Sequence, residues 1–186
     1  MEQESIRVHG PDIKVAITTP RLRLEPLDDR HAAALFDGLR DPAIYEWIST
    51  QPSPDLAHLQ ARWARVAQFP LVRVDVLDYG WAVQRSADGA WIGKMDAEVT
   101  ALGVATNVGY LFVPAYWGHG YATEALAALS AHLRRHGVFE QHATVTLGNA
   151  ASCRVLERAG FVRERVLAAN DTLRGVAVDD VEYVLR

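Results

Sequence analysis

The chain has 186 residues, of which 49% are hydrophobic and 23% charged, and a formal net charge of −4, the profile of an ordinary folded domain rather than of a disordered chain. A domain of this length buries roughly 70% of the surface its unfolded chain exposes, so it needs neither a disulfide nor a metal to fold. The negative balance excludes a basic field that would collect nucleic-acid phosphates or anionic lipid, and the single cysteine, Cys153, excludes a disulfide framework and a multi-cysteine zinc site.

Cys153 itself reads as a small buried hydrophobe. Met1-Glu2-Gln3-Glu4-Ser5 opens acidic with no long apolar run behind it, which lacks both halves of a secretory signal. No segment approaches the ~20 apolar residues of a membrane span. A cytoplasmic protein is expected, with no membrane or nucleic-acid partner.

Residues 1–18 mix polar and β-branched types around Gly10-Pro11 and read as an N-terminal arm whose order the pattern leaves open, ahead of a single domain over 19–186. Arg21 to Leu27 alternates polar and apolar residues, the period of a half-buried strand. Asp28-Asp29 then offers a helix N-cap, with Ala33, Ala34, Leu35 and Leu39 as the apolar positions of a first helix ending at Asp41-Pro42. A second helix is predicted from about Pro54 to Gln68, with Leu56, Leu59, Trp63 and Val66 on one face. Three strands follow at about 79–85, 90–99 and 107–113, the first two joined through the Asp88-Gly89 turn signal. The last is apolar on both faces, with Val108, Tyr110 and Phe112 opposite Leu111 and Val113, and so belongs in the centre of a sheet.

Beyond Pro114, a turn rich in glycine leads into a helix from about Tyr121 to His136, stopped by Gly137. Its inner face is Ala122, Ala125, Leu126, Leu129 and Leu133. A strand over 143–147, a short helix from Asn149 to Ala159, and two strands at about 161–168 and 175–185 complete the chain. The order is mixed α/β (α+β) around one sheet, with six to seven strands and about four helices.

A central strand followed by Tyr116-Trp117-Gly118-His119-Gly120-Tyr121-Ala122 and a helix start aims unpaired N–H groups and the positive helix end at an anion. Glycine at 118 and 120 permits positive φ and close approach of a phosphate; glycines that merely turn the chain are the plain alternative. Two other phosphate motifs do not fit. The Walker string is absent, and a dinucleotide fingerprint would need glycine where Thr123 sits and an acidic residue ending a strand where Glu140 begins one.

Gly109 to Ala125, containing that loop, closely resembles the acetyl-CoA motif of the GNAT N-acetyltransferases. Asn149-Ala150-Ala151-Ser152 followed by Gly160-Phe161 resembles the second motif of the family, and Thr19-Pro20-Arg21-Leu22-Arg23-Leu24 is similar to the opening strand of its Rim-type (RimJ/RimL-like) branch. The resemblance covers most of residues 19–186. It implies a GNAT fold, a splayed, partly parallel sheet with acetyl-CoA wedged between the central strands. Leu111, Phe112 and Val113, then Trp117, Gly118, His119, Gly120, Tyr121 and Ala122, then Asn149 and Ser152, would contact the coenzyme. Tyr45, Trp47 and Tyr110 would line the pocket of a primary-amine acceptor, either a peptide N-terminus or a small molecule. Asn149 fits a plain N-cap equally well, and Tyr45 and Trp47 fit ordinary core packing.

The chain also departs from the family. Ala115 stands where Gln or Arg is frequent, Leu156 stands where many relatives carry a tyrosine general acid, and Asn107 replaces a frequent Glu. Ser152 becomes the candidate to protonate the departing thiolate. Asp96 and Glu98 share one strand face and are candidates to order a proton-accepting water, although the polar face of a strand is often simply solvated. Free α-amines titrate near ~8 and lysine near ~10.4, so deprotonating lysine costs about 3 kcal/mol more; a site without an obvious Glu suits an α-amine or small amine better. His132 and His136, at i and i+4, read as a solvated helix end rather than a metal site, and no metal is expected. The competing expectations are a non-catalytic acyl-CoA-binding module, motivated by Leu156, Asn107 and Ala115, and a transferase of a larger acyl group such as succinyl. Both monomer and homodimer are compatible with the sequence.

Overall fold

The computed structural model describes residues 12–68, 71–73 and 75–186. Its strands are β1 (Ile17–Thr18), β2 (Leu22–Pro26), β3 (Leu71–Arg73), β4 (Val76–Arg85), β5 (Trp91–Thr100), β6 (Val104–Phe112), β7 (Glu140–Thr146), β8 (Val162–Leu173) and β9 (Val176–Leu185). The helices are α1 (Ala32–Leu35), α2 (Leu56–Gln68), α3 (Tyr121–Arg135) and α4 (Ala150–Arg158). All strands join one sheet in the order β1-β2-β4-β5-β6-β7-β9-β8, with β3 also paired to β4. The two strands beyond the expected six to seven, β1 and β3, are two and three residues long, too short for a period-two signal.

Among the described residues only β6 and β7 run parallel, as the crossover through α3 requires. They pair at Val104↔Glu140 and Ala105↔Gln141 and then separate. The β5–β6 register shifts next to the point of separation: Glu98 faces Asn107 while Val99 faces Ala105, so Thr106 is the extra residue of a bulge, its Oγ1 donating to the Glu98 carbonyl at 3.3 Å. The diverging halves of β6 and β7 leave a cleft open to both faces of the sheet.

Two apolar clusters cover those faces. One packs α3 and α4 on Trp81, Met95, Val108 and Phe112; the other packs α1 and α2 on Leu27 and Ala82, with Leu111 and Val113 against it. The strand over 104–112 is therefore apolar on both sides because both sides are covered. On α2, Leu59 and Trp63 are buried at i and i+4.

Three sequence expectations change, those for the first helix, His132 and Cys153, and part of the arm left open by the sequence is described. The first helix is a single α-turn between 3-10 turns at Asp29–His31 and Gly38–Arg40; its buried positions are Ala32, Leu35 and Leu39, whereas Ala33 and Ala34 face outward. Of the arm, residues 1–11 lie outside the described part, but Ile13 is fully buried and Ile17 nearly so, and the Val15 carbonyl accepts from Trp81 Nε1 at 3.0 Å. His132 is not a solvated helix end: it is buried, and its Nε2 meets the Ile13 carbonyl at 2.8 Å, so the ring anchors the arm to α3. Burial lowers its pKa. Cys153 is half-buried rather than fully buried. Among the described residues, no group of His, Cys, Asp and Glu has metal-site geometry, and no helix is long and apolar enough to cross a membrane.

Candidate active site

Two cavities meet at the cleft between β6 and β7. The first, of about 390 Å³, is lined by the loop from Tyr116 to Gly120, the first turn of α3 and one side of α4. The N–H groups of Tyr121, Ala122 and Thr123 open a helix and have no intrahelical acceptor. Gly120 caps that helix at φ +78°, with no side chain to occupy the N–H groups. Gly118 has the same φ and nothing within 4 Å of where a Cβ would stand. The result is an open set of donors at the positive helix end, an arrangement suited to an anion. Arg154 and Arg158, one turn apart on α4, line the same groove.

The loop is held from behind. Arg21 Nε pairs with Glu124 Oε2 at 2.6 Å, Arg21 Nη1 donates to the His119 carbonyl at 3.0 Å, and Thr19 Oγ1 donates to Glu124 Oε1 at 2.6 Å. Burial pushes the Glu124 carboxyl up, and the hydrogen bonds from Thr19 and Arg21 outweigh it, so the net shift is down. The Thr19-Pro20-Arg21 segment thus has a role that spacing does not reveal: it braces the loop from the neighbouring strand edge.

Leu111, Phe112, Trp117, Gly118, Gly120, Tyr121 and Ala122 all border this groove, as do Asn149 and Ser152. Val113 and His119 do not. Val113 packs into the α1–α2 cluster, and the His119 ring stacks on Tyr121 at 5.8 Å with Nδ1 on the Trp117 carbonyl at 2.8 Å. Asn149 caps α4, its Oδ1 accepting from Ser152 N at 3.1 Å, and reaches both cavities as well.

The second cavity, of about 470 Å³, opens on the α1–α2 face. Tyr45 and Trp47 form part of its wall, with Tyr45 Oη donating to the Leu39 carbonyl at 2.7 Å. Its floor follows from strand register. Asp78, Glu98 and Asn107 form one row across β4, β5 and β6, and Gly80, Asp96 and Gly109 the next. Asp96 pairs with Lys94 and fits because residue 109 is glycine; a Cβ there would stand 2.5 Å from Asp96 Oδ2. Burial, then the neighbouring Asp96, pushes Asp78 up to about 6, with Glu98 adding and Lys94 and Arg62 opposing.

Tyr110 and Ser152 sit at the junction and border both cavities. Their hydroxyls are 2.7 Å apart. Burial pushes Tyr110 up to about 12, against a smaller opposing effect of the Ser152 hydrogen bond. Leu156, where many relatives carry a tyrosine, is fully buried in the α3–α4 core and reaches neither cavity.

Sequence reasoning missed Asp78, Arg154, Arg158 and Asp180. Asp78 lies three residues inside a strand whose predicted start was 79, and only register with β5 brings it beside Glu98. The i, i+4 spacing of Arg154 and Arg158 was available as a signal for an anion on that helix face.

A splayed sheet with an anion cradle on one side of the cleft and a carboxylate-floored cavity on the other defines a transferase that uses an acyl-CoA donor. Residues 21–162 match the acetyltransferase (GNAT) domain family, and the chain belongs to it. It is an N-acetyltransferase whose acyl donor is acetyl-CoA. The chain is similar to an uncharacterized protein, YkkB, of Bacillus subtilis (strain 168), at 27% identity over 80% of this chain and 86% of that one. Similar folds include Mycobacterium smegmatis RimJ in complex with CoA-disulfide (23% identity, 95% and 90% of the two chains, TM-score 0.78). They also include the ribosomal-protein-S5-alanine acetyltransferase of Vibrio fischeri (15% identity, 91% and 95%, TM-score 0.76).

Proposed function

We propose that the enzyme acetylates a primary amine by direct transfer, with coenzyme and amine held together across the β6–β7 cleft. The observation that carries this reading is the meeting of the two cavities at the Tyr110–Ser152 pair. The acceptor belongs to the acidic cavity, where a protonated amine is attracted and desolvated beside carboxylates.

Acetyl-CoA supplies an acetyl group activated as a thioester. The N–H groups of the loop and first α3 turn, with Arg154 and Arg158, would hold its pyrophosphate end. Asp78, pushed up to about 6 by burial, takes a proton from the ammonium, directly or through a water ordered by Glu98 and Asp96; this frees the amine lone pair for attack. Tyr110 and Ser152 share a hydrogen bond and hold hydroxyl protons at the cavity junction, where they would be donors to a leaving thiolate. Asp78 thus joins the sequence candidates Asp96 and Glu98 on the basic side, and Tyr110, assigned from sequence to the acceptor wall, joins Ser152 on the acidic side.

The test is turnover with acetyl-CoA and a panel of small amines, amino acids and peptides, following free thiol and the mass of the amine product. Amine-dependent thiol release with a gain of one acetyl group supports the reading. Coenzyme binding with no acetylated product from any amine refutes it. Succinyl-CoA in the same assay reports acyl preference.

A further inference from the structure

The acceptor cavity has a second acidic end. Asp180, on β9, is only 5% exposed, yet it lines this cavity. Its Oδ2 accepts from Asn170 Nδ2 at 2.8 Å, while Oδ1 is buried and has no hydrogen-bond partner among the described residues. A buried carboxylate oxygen left unpaired is costly and calls for a polar partner; this one borders the cavity, where a cationic ligand can supply it. The backbone around it is irregular in a way that serves the same spot. Leu167 pairs with Asp180 and Asp171 with Val178, so β8 has two more residues than β9 in this interval, and Ala169 within the bulge has φ +48°. Bulges re-aim side chains, and non-glycine residues at positive φ cluster at functional sites; here the bulge turns Asn170 onto Asp180 and carries Asp171 to the cavity wall. At the tip of the hairpin beyond it, Arg174 donates to the Glu46 carbonyl at 3.2 Å.

The charge of the cavity agrees. Among the described residues its lining holds five carboxylates, at positions 78, 96, 98, 171 and 180, against Arg40, Arg62 and Lys94. Lys94 already pairs with Asp96. One protonated amine beside Asp78 leaves the β9 end uncompensated.

We propose, building on the amine-acceptor reading above, that Asp180 with Asp171 forms a subsite for a second cationic group, so that the preferred acceptors are dications: diamines, polyamines or other molecules with two separated amino groups. The reacting amine lies at the Asp78 end and the second ammonium donates to Asp180 Oδ1.

The test compares α,ω-diamines of increasing length with the monoamines of matching length, on the wild-type enzyme and on Asp180→Asn, which keeps the shape and the Asn170 contact region but removes the charge. Wild type should favour the diamine of optimal length by about tenfold to a hundredfold in kcat/KM, as expected for a hydrogen bond between charged groups. D180N should collapse that ratio towards one. Equal use of diamines and monoamines by wild type, or an unchanged ratio in D180N, overturns the subsite. Calorimetric titration of the same diamines into the CoA-bound protein separates the two claims. Diamine binding that D180N abolishes, with no acetylated product from any amine, keeps the subsite and sinks the transfer reading; absence of diamine binding sinks the subsite even where monoamines turn over.

Discussion

Replacing Asp78 by Asn should make the protein more stable and less active, and the stability gain should appear only above about pH 5. Asp78 is pushed from 3.8 up to about 6 by burial beside Asp96 and Glu98. A carboxyl whose folded-state pKa is raised binds its proton more tightly in the folded chain. Its favourable contribution is therefore fully present below about pH 4 and is lost as pH rises through about 6. At neutral pH the shift of about 2 units corresponds to roughly 3 kcal/mol of destabilisation at ~1.36 kcal/mol per unit. Solvent in the cavity, and the hydrogen-bonding demand of the new amide, reduce the recoverable part to about 1–2 kcal/mol. At about 2–4 °C per kcal/mol for a chain of this size, D78N should melt about 2–8 °C above wild type at pH 7.5 and within a degree or so of it at pH 4. Differential scanning calorimetry of the two proteins across that pH range reads the difference directly, because every other titrating group is common to both. A variant no more stable at pH 7.5, or stabilised equally at both pH values, would refute the assignment of a strained, ionised Asp78. In the same proteins, the kcat/KM of the wild type should rise with pH through an inflection near 6 that D78N lacks.

Ser152→Ala and Tyr110→Phe should each lower kcat, with the double variant losing about 10²-fold. The double variant should cost little more than the worse single one, because the two hydroxyls are hydrogen-bonded and act as one donor unit; full additivity in rate measurements would contradict that coupling. Gly120→Ala forces a Cβ into the left-handed region at about 1–2 kcal/mol and should raise the Kd for coenzyme A about tenfold by calorimetry. Gly137→Ala is the control: that glycine has φ +87° with nothing near its Cβ position, lies outside the groove, and should leave the Kd unchanged. Arg21→Ala removes an exposed brace, worth about 0–1 kcal/mol as an ion pair, and should raise the KM for acetyl-CoA about two- to fivefold in initial-rate assays.

The donor half of the site was legible in the sequence because it is built from consecutive residues. Gly118, Gly120 and the first turn of α3 are neighbours in the chain, and their backbone does the binding. The acceptor half was legible only in fragments. Asp96 and Glu98 show their shared face through period-two alternation, but Asp78 and Asp180 enter through the register of β4 on β5 and of β9 on β7, and register between strands distant in the chain leaves no local signature. The same holds for His132. Its spacing with His136 suggests an exposed pair, whereas its burial depends on the arm folding back so that Ile13 offers a carbonyl. The first helix was overextended because Ala33 and Ala34 are apolar enough to fit a helical stripe yet small enough to face solvent at little cost.

Initial rates with acetyl-CoA and the best amine varied together test the central claim most directly, since it requires both substrates to occupy the two cavities at once. Intersecting reciprocal plots are the predicted result, with no acetyl group on the protein after incubation with acetyl-CoA alone. Parallel plots, together with a protein mass increased by one acetyl group at Ser152 or Cys153, would contradict direct transfer.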